Sequence, residues 1–135
     1  MKHVFTTKVF YSDTDTYGVV WHGSYLRWLE MGRVLLCENA GYKLSQLEQD
    51  DIVLPVAELN IKYKNSAKLE DNIIIETNVV DQGRFYITFQ QFIKNEKLDK
   101  TYIEALVKVV AIHKDGKLYR SLPEQVIKIC SENAG

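Results

Sequence analysis

The sequence is poor in the residues that mark specialised scaffolds. Its two cysteines, Cys37 and Cys130, lie far apart with no CxxC, which argues against both a zinc-binding cluster and a disulfide framework. No histidine stands at helical spacing from Cys37, so both thiols read as reduced, packed side chains rather than nucleophiles. Two prolines and seven glycines, scattered, leave no linker, repeat or low-complexity tract. No apolar run approaches the ~18 residues that cross a bilayer, and the N-terminal MKHVFTTKVFYS lacks a signal-peptide core; a cytoplasmic location is the expectation. An excess of either charge is also missing. With 17 basic and 18 acidic residues and no basic run, nucleic acid is not an expected partner. There is no GxSxG elbow, no GxGxxG and no Walker loop, so serine-hydrolase, dinucleotide and P-loop readings fall away.

What is present starts with length. At 135 residues the chain suits one domain, 1–135, with a hydrophobic core of its own. The organising stretch is Asp13 to Gly41, DTDTYGVVWHGSYLRWLEMGRVLLCENAG, which sets two acids and a glycine turn ahead of the single long amphipathic pattern. Tyr25, Trp28, Leu29, Gly32, Leu35, Leu36, Asn39 and Ala40 recur at steps of three and four and predict a helix. Ser24 is the expected N-cap and Gly41 the C-terminal stop. Gly32 inside the buried stripe implies close approach of another backbone. Leu26, Val34 and Cys37, on the other side beside Arg27, Glu30 and Glu38, suggest a subunit contact.

Strand patterns flank this helix. Lys2–Tyr11 alternates before it, and four alternating stretches follow it, beginning at Ala57, Leu69, Phe85 and Ile103. Turns at Asp81-Gln82-Gly83, Asn95–Lys100 and Asp115-Gly116 join neighbours closely enough to force antiparallel pairing. Ser121-Leu122-Pro123-Glu124 has the form of a capping box opening a short final helix. The predicted architecture is an α+β roll: a curved antiparallel sheet of five or six strands wrapped around one long helix.

A helix N-terminus carries unpaired N–H groups and partial positive charge, and so suits an anion. Here that point lies near Trp21, His22 and Gly23, with Asp13 and Asp15 just upstream. A carboxylate beside N–H donors is what hydrolysis of an activated acyl group requires: one group to attack or to activate water, another to hold the oxyanion. The same DxD also serves as Asx-turn and capping chemistry, and spacing alone does not choose. His22 reads equally as a capping residue or an acid/base. Asp13, Asp15 and His22 match no metal-ligand spacing, so no metal is expected. Tyr17, Trp21, Tyr25 and Trp28 surround the acids as core or pocket walls.

The run Tyr11-Ser12-Asp13-Thr14-Asp15-Thr16-Tyr17-Gly18-Val19-Val20-Trp21-His22, followed by Tyr25 and Glu30, resembles the signature of hotdog-fold acyl-CoA thioesterases of the 4-hydroxybenzoyl-CoA thioesterase-like group, whose branches include the Tol–Pal-associated enzymes. The similarity continues through Leu54-Pro55-Val56 and Tyr63-Lys64-Asn65-Ser66-Ala67-Lys68-Leu69-Glu70-Asp71, nearly the whole chain. The resemblance implies a hotdog roll, Asp15 as base or nucleophile, and the His22 backbone N–H as the group polarising the thioester carbonyl. Ser24 departs from the asparagine that many members carry. Glu30 is the second candidate acid. Substrate contacts are expected at Tyr17, Gly18, Val20 and Tyr25, with Lys64, Lys68 and Arg84 meeting the phosphates of coenzyme A. No separate cofactor is implied, because coenzyme A belongs to the substrate. A non-catalytic acyl-thioester or acyl-carrier-protein binding module of the same fold is the alternative; a hotdog dehydratase fits less well, lacking a recognisable histidine–acid pair. Open sheet edges imply a homodimer, and the Leu26, Val34 and Cys37 group a homotetramer.

Overall fold

In the computed structural model, which describes residues 2–133, the sheet has five strands, not six. They are β1 (His3–Lys8), β2 (Val56–Tyr63), β3 (Asn72–Gln82), β4 (Tyr86–Asn95) and β5 (Thr101–Val110), in spatial order β1-β3-β4-β5-β2 and antiparallel throughout. Among the described residues three α-helices accompany the sheet: α1 (His22–Asn39), the short α2 (Leu44–Gln49) and α3 (Glu124–Asn133). The curved sheet packs its inner face on α1, and the result is the predicted roll.

The alternation that predicted the strands also selects their inner residues. Ile73, Ile75 and Val79 of β3, Ile87, Phe89 and Ile93 of β4, and Ile103, Ala105, Val107 and Val109 of β5 are buried. From the helix side they meet Tyr25, Trp28, Leu29 and Leu36 in one continuous core. Two inward positions are polar, Thr77 and Gln91, both fully buried. The Gln91 amide donates to Leu29 O at 2.9 Å and to the Thr77 hydroxyl at 2.8 Å, and its oxygen accepts from Arg33 at 3.0 Å. This network lies under Gly32, where a Cβ would meet Thr77 Oγ1 at 2.6 Å, Gln91 Nε2 at 2.9 Å and Ile75 Cγ2 at 3.0 Å. Gly32 therefore makes room for side chains of the sheet, rather than for the backbone expected from sequence.

Several boundaries move for local reasons. The helix begins at His22, with Trp21 as N-cap, and Ser24 is a buried first-turn residue whose hydroxyl donates to Asp13 O at 3.1 Å. Tyr11–Asp13 leaves β1 as a 3-10 turn, and α3 opens at Glu124, three residues after the expected cap. Strand β2 pairs only with β5, and almost every residue on both its faces is exposed, whereas its alternation had predicted a half-buried strand. Cys37 is only 3% exposed and Val34 half-buried, so the Leu26, Val34 and Cys37 group is no open patch. It lines a cavity of about 370 Å³ between α1 and the β2 side of the sheet, closed further by Leu54, Val56 and Phe89.

Candidate active site

The loop before α1 folds into a small hairpin. Asp15 N–H donates to Val19 O at 2.9 Å, Thr14 and Val20 bridge, and Gly18 N–H donates to Asp15 O at 3.1 Å. Gly18 takes a left-handed φ of +79°, which closes the turn at little steric cost. Tyr17 sits at its exposed tip. The hairpin is fastened to the next loop, since Val20 N–H donates to Ala67 O at 2.9 Å and Val19 bridges Lys68. The Val20 side chain is buried in the core.

The two acids have divergent surroundings. Asp13 is buried, and its carboxylate accepts from the Phe10 N–H at 2.9 Å and pairs with the Arg27 guanidinium on α1. Its carbonyl accepts from Trp21 N–H at 2.8 Å and from Ser24. Asp13 thus ties the hairpin to the first turns of α1. Asp15 is half-buried and holds one described side-chain partner, the Tyr17 N–H at 2.8 Å on Oδ1, an Asx turn that leaves Oδ2 uncommitted among the described residues. Thr14 between them is extended and leads from the turn that holds Asp13 into the hairpin that holds Asp15.

The helix start beside them has donors to spare. Trp21 N–H bonds Asp13 O and Ser24 N–H bonds Trp21 O, while the N–H groups of His22 and Gly23 have no partner among the described residues. The His22 imidazole is exposed and lies 5.0 Å from the Trp21 ring, centroid to centroid. A Cβ on Gly23 would stand 2.2 Å from the Trp21 indole, so the glycine lets that ring lie across the first turn of the helix. This Trp21–Gly23 packing carried no sequence signal beyond the dipeptide spacing.

Tyr25 is buried and is a pin rather than an open pocket wall. Its hydroxyl accepts from Ala67 N–H at 2.9 Å, and its ring meets Trp28 and Tyr63 edge-on. Burial raises its phenol above the usual range. Tyr63, the last residue of β2, reaches His22 O with its hydroxyl at 3.4 Å.

The expected phosphate contacts separate. Lys68 is adjacent to the hairpin through Val19, and Lys64 follows Tyr63 but is paired with Glu104 at 2.9 Å. Arg84 occupies the β3–β4 turn, beside Tyr86, which pairs with Val110, whereas Lys64 bonds Tyr102 at the other end of β5. Within one chain Arg84 is thus a strand length, ~25 Å, from the two lysines. Glu30 faces the cavity, away from Asp15's hairpin. Cys37, considered as a nucleophile, is buried, and burial pushes its thiol up to about 11; Cys130 is pushed up to about 12. Neither is a thiolate at neutral pH.

Comparison with known proteins places these residues in context. The model of the thioesterase-like superfamily matches residues 9–129. The chain is 32% identical to YneP of Bacillus subtilis over 88 residues, 65% of this chain and 64% of that protein, and so spans just under two thirds of that relative. It is 32% identical to the acyl-CoA thioesterase YbgC of Haemophilus influenzae over 109 residues, covering 80% of this chain and 79% of that one. The crystal structure of a DHNA-CoA thioesterase from Staphylococcus aureus superposes with a TM-score of 0.82 at 27% identity, over 88% of this chain and 80% of that one.

Proposed function

This chain belongs to the thioesterase-like superfamily, and we propose that it is a thioester hydrolase that cleaves acyl-CoA to a carboxylate and free coenzyme A, with Asp15 as base or nucleophile. The observation that carries the reading is a half-committed carboxylate on the hairpin that leads into a helix N-terminus, where the His22 and Gly23 N–H groups have no partner among the described residues. An acyl carbonyl bound to those donors develops its negative charge where the helix stabilises it. Asp15 removes a proton from attacking water, whose oxygen then ends in the carboxylate product, or adds to the carbonyl directly to give an acyl–Asp15 anhydride that water hydrolyses to the carboxylate and free Asp15; the CoA thiolate leaves on either route. The role of His22 is then that of its backbone, and Asp13 holds the geometry.

The described residues include no helix long and apolar enough to cross a membrane, and we place the enzyme in the cytoplasm. Coenzyme A arrives with the substrate, and the chemistry needs no further cofactor. Lys64 and Lys68 stand near enough to the hairpin to meet its phosphates from the same chain; Arg84 reaches a site only in another subunit. The unpaired edge of β2 supports a homodimer formed by extending the sheet, with a homotetramer as the larger assembly.

The test is thiol release from a panel of short-chain, long-chain and aromatic acyl-CoAs. Turnover of at least one class is expected. Saturable binding of acyl-CoA with no turnover of any would replace the hydrolase with a non-catalytic acyl-thioester binding module.

A further inference from the structure

Two peptide groups present the free N–H donors at the start of α1, and each has a donor behind its carbonyl. The His22 N–H shares a peptide with the Trp21 carbonyl, which accepts from Ser24 N–H at 2.9 Å. The Gly23 N–H shares one with the His22 carbonyl, and there the donor is a side chain, the Tyr63 hydroxyl at 3.4 Å. A backbone carbonyl has two lone pairs, so His22 O can open the helical ladder and still accept from Tyr63.

Tyr63 is held for this contact from the sheet. It is the last residue of β2, paired with Ile103 of β5, and the next residue, Lys64, bonds Tyr102 O through its N–H at 2.8 Å. Its ring meets Tyr25 edge-on, with centroids 5.9 Å apart, and about half of the residue is exposed. Phenylalanine would keep that ring contact. The hydroxyl adds one hydrogen bond among the described residues, the one to His22 O.

A proton donor on an amide oxygen draws electron density from the nitrogen, so hydrogen bonds in series polarise and strengthen one another. When negative charge develops on an oxygen held by Gly23 N–H, the His22 carbonyl becomes more electron-rich and the Tyr63 bond tightens in return. Hydrogen bonds around a reaction centre are often long until the substrate complex forms, and 3.4 Å suits that condition. The gain is largest in the transition state, and so acts on kcat rather than on KM.

We propose that Tyr63 is a positioning residue for the hydrolysis: its hydroxyl, bonded to the His22 carbonyl, polarises the His22–Gly23 peptide and makes the Gly23 N–H a stronger oxyanion donor. The proposal rests on the hydrolase reading above and adds the group that tunes its oxyanion site.

Tyr63→Phe tests it by two independent readouts. By nuclear magnetic resonance of the free, isotope-labelled protein, the Gly23 amide nitrogen and the His22 carbonyl carbon should both move upfield of wild type, because the carbonyl has lost a donor. With an acyl-CoA that wild type turns over, kcat should fall about 3- to 10-fold with KM changed less than about twofold, well short of the ~10²–10³-fold cost of deleting an oxyanion donor outright. The unfolding midpoint should stay at the wild-type value, since the ring contact remains. Tyr63→Leu, which removes the ring as well, should lose as much kcat as Tyr63→Phe in the folded fraction. Unmoved resonances or a wild-type kcat in Tyr63→Phe would overturn the proposal, and so would a change confined to KM, the mark of direct contact with substrate. Wild type that turns over no acyl-CoA would instead remove the hydrolase reading, and the role of Tyr63 with it.

Discussion

Asp13 and Arg27 form a carboxylate–guanidinium pair that joins the turn before α1 to the helix itself, with the Asp13 side chain almost wholly out of solvent and Arg27 about half exposed. The same aspartate holds Phe10 N–H, Trp21 N–H and Ser24, so one residue sets the angle at which the hairpin bearing Asp15 meets the helix N-terminus.

Asp13→Asn keeps the shape but loses the charge, and Arg27→Ala removes the partner. Each should lower unfolding free energy by about 1–3 kcal/mol, the solvent exposure of Arg27 keeping the effect below that of a fully buried pair. Denaturant midpoints check this. A wild-type midpoint in both would show that the hairpin is held by its backbone bonds alone.

Gly32→Ala sets helix propensity, a gain of up to ~1 kcal/mol, against a Cβ forced onto Thr77 and Gln91. Gln91 is fixed by three hydrogen bonds and cannot yield cheaply, so a net loss of about 1–3 kcal/mol is expected. Thermal unfolding measures the sign directly.

These sites show what was legible in the sequence. The helix stripe from Tyr25 to Leu36 and the inner strand residues were legible because periodicity reports burial against one's own chain, whereas Asn39, expected on the stripe, is exposed and Cys37, expected opposite it, is buried. The start of α1 was not, because Trp21 caps it without a side-chain acceptor and the hydroxyl of Ser24 serves Asp13 instead. Thr77 and Gln91 interrupt apolar alternation with nothing in the pattern to say that they bond each other. The alternation of β2 promised burial that the single chain does not provide. At the site, Asp13 and Asp15 were equivalent by spacing; only tertiary contacts distinguish a buried, fully used carboxylate from one with an oxygen to spare.

Tyr25→Phe leaves the Ala67 N–H without its acceptor beside the hairpin. A buried unsatisfied donor costs about 1–3 kcal/mol, and hydrogen exchange at Ala67 should quicken together with that at Val20, whose N–H bonds the Ala67 carbonyl.

Acid stability should depend on Glu76. Burial would raise its carboxyl, but the Lys94 and Lys2 ammonium groups, at 2.8 and 2.9 Å, outweigh burial and hold it below the ordinary 4.5. A folded-state value below the unfolded one gives stability that is present above pH ~4.5 and is lost as pH falls through the folded value. Glu76→Gln should therefore lower stability at neutral pH and flatten its decline below pH ~4.5. Parallel acid profiles for the two proteins would refute the assignment.

The most direct measurement compares kcat for acyl-CoA hydrolysis in Asp15→Asn and Asp13→Asn, each shown by circular dichroism to be folded. Asp15→Asn should keep its unfolding midpoint and lose ~10²–10⁴-fold in kcat, while Asp13→Asn loses stability and retains most turnover in the fraction that stays folded. Full activity in folded Asp15→Asn would contradict the central role given to that carboxylate.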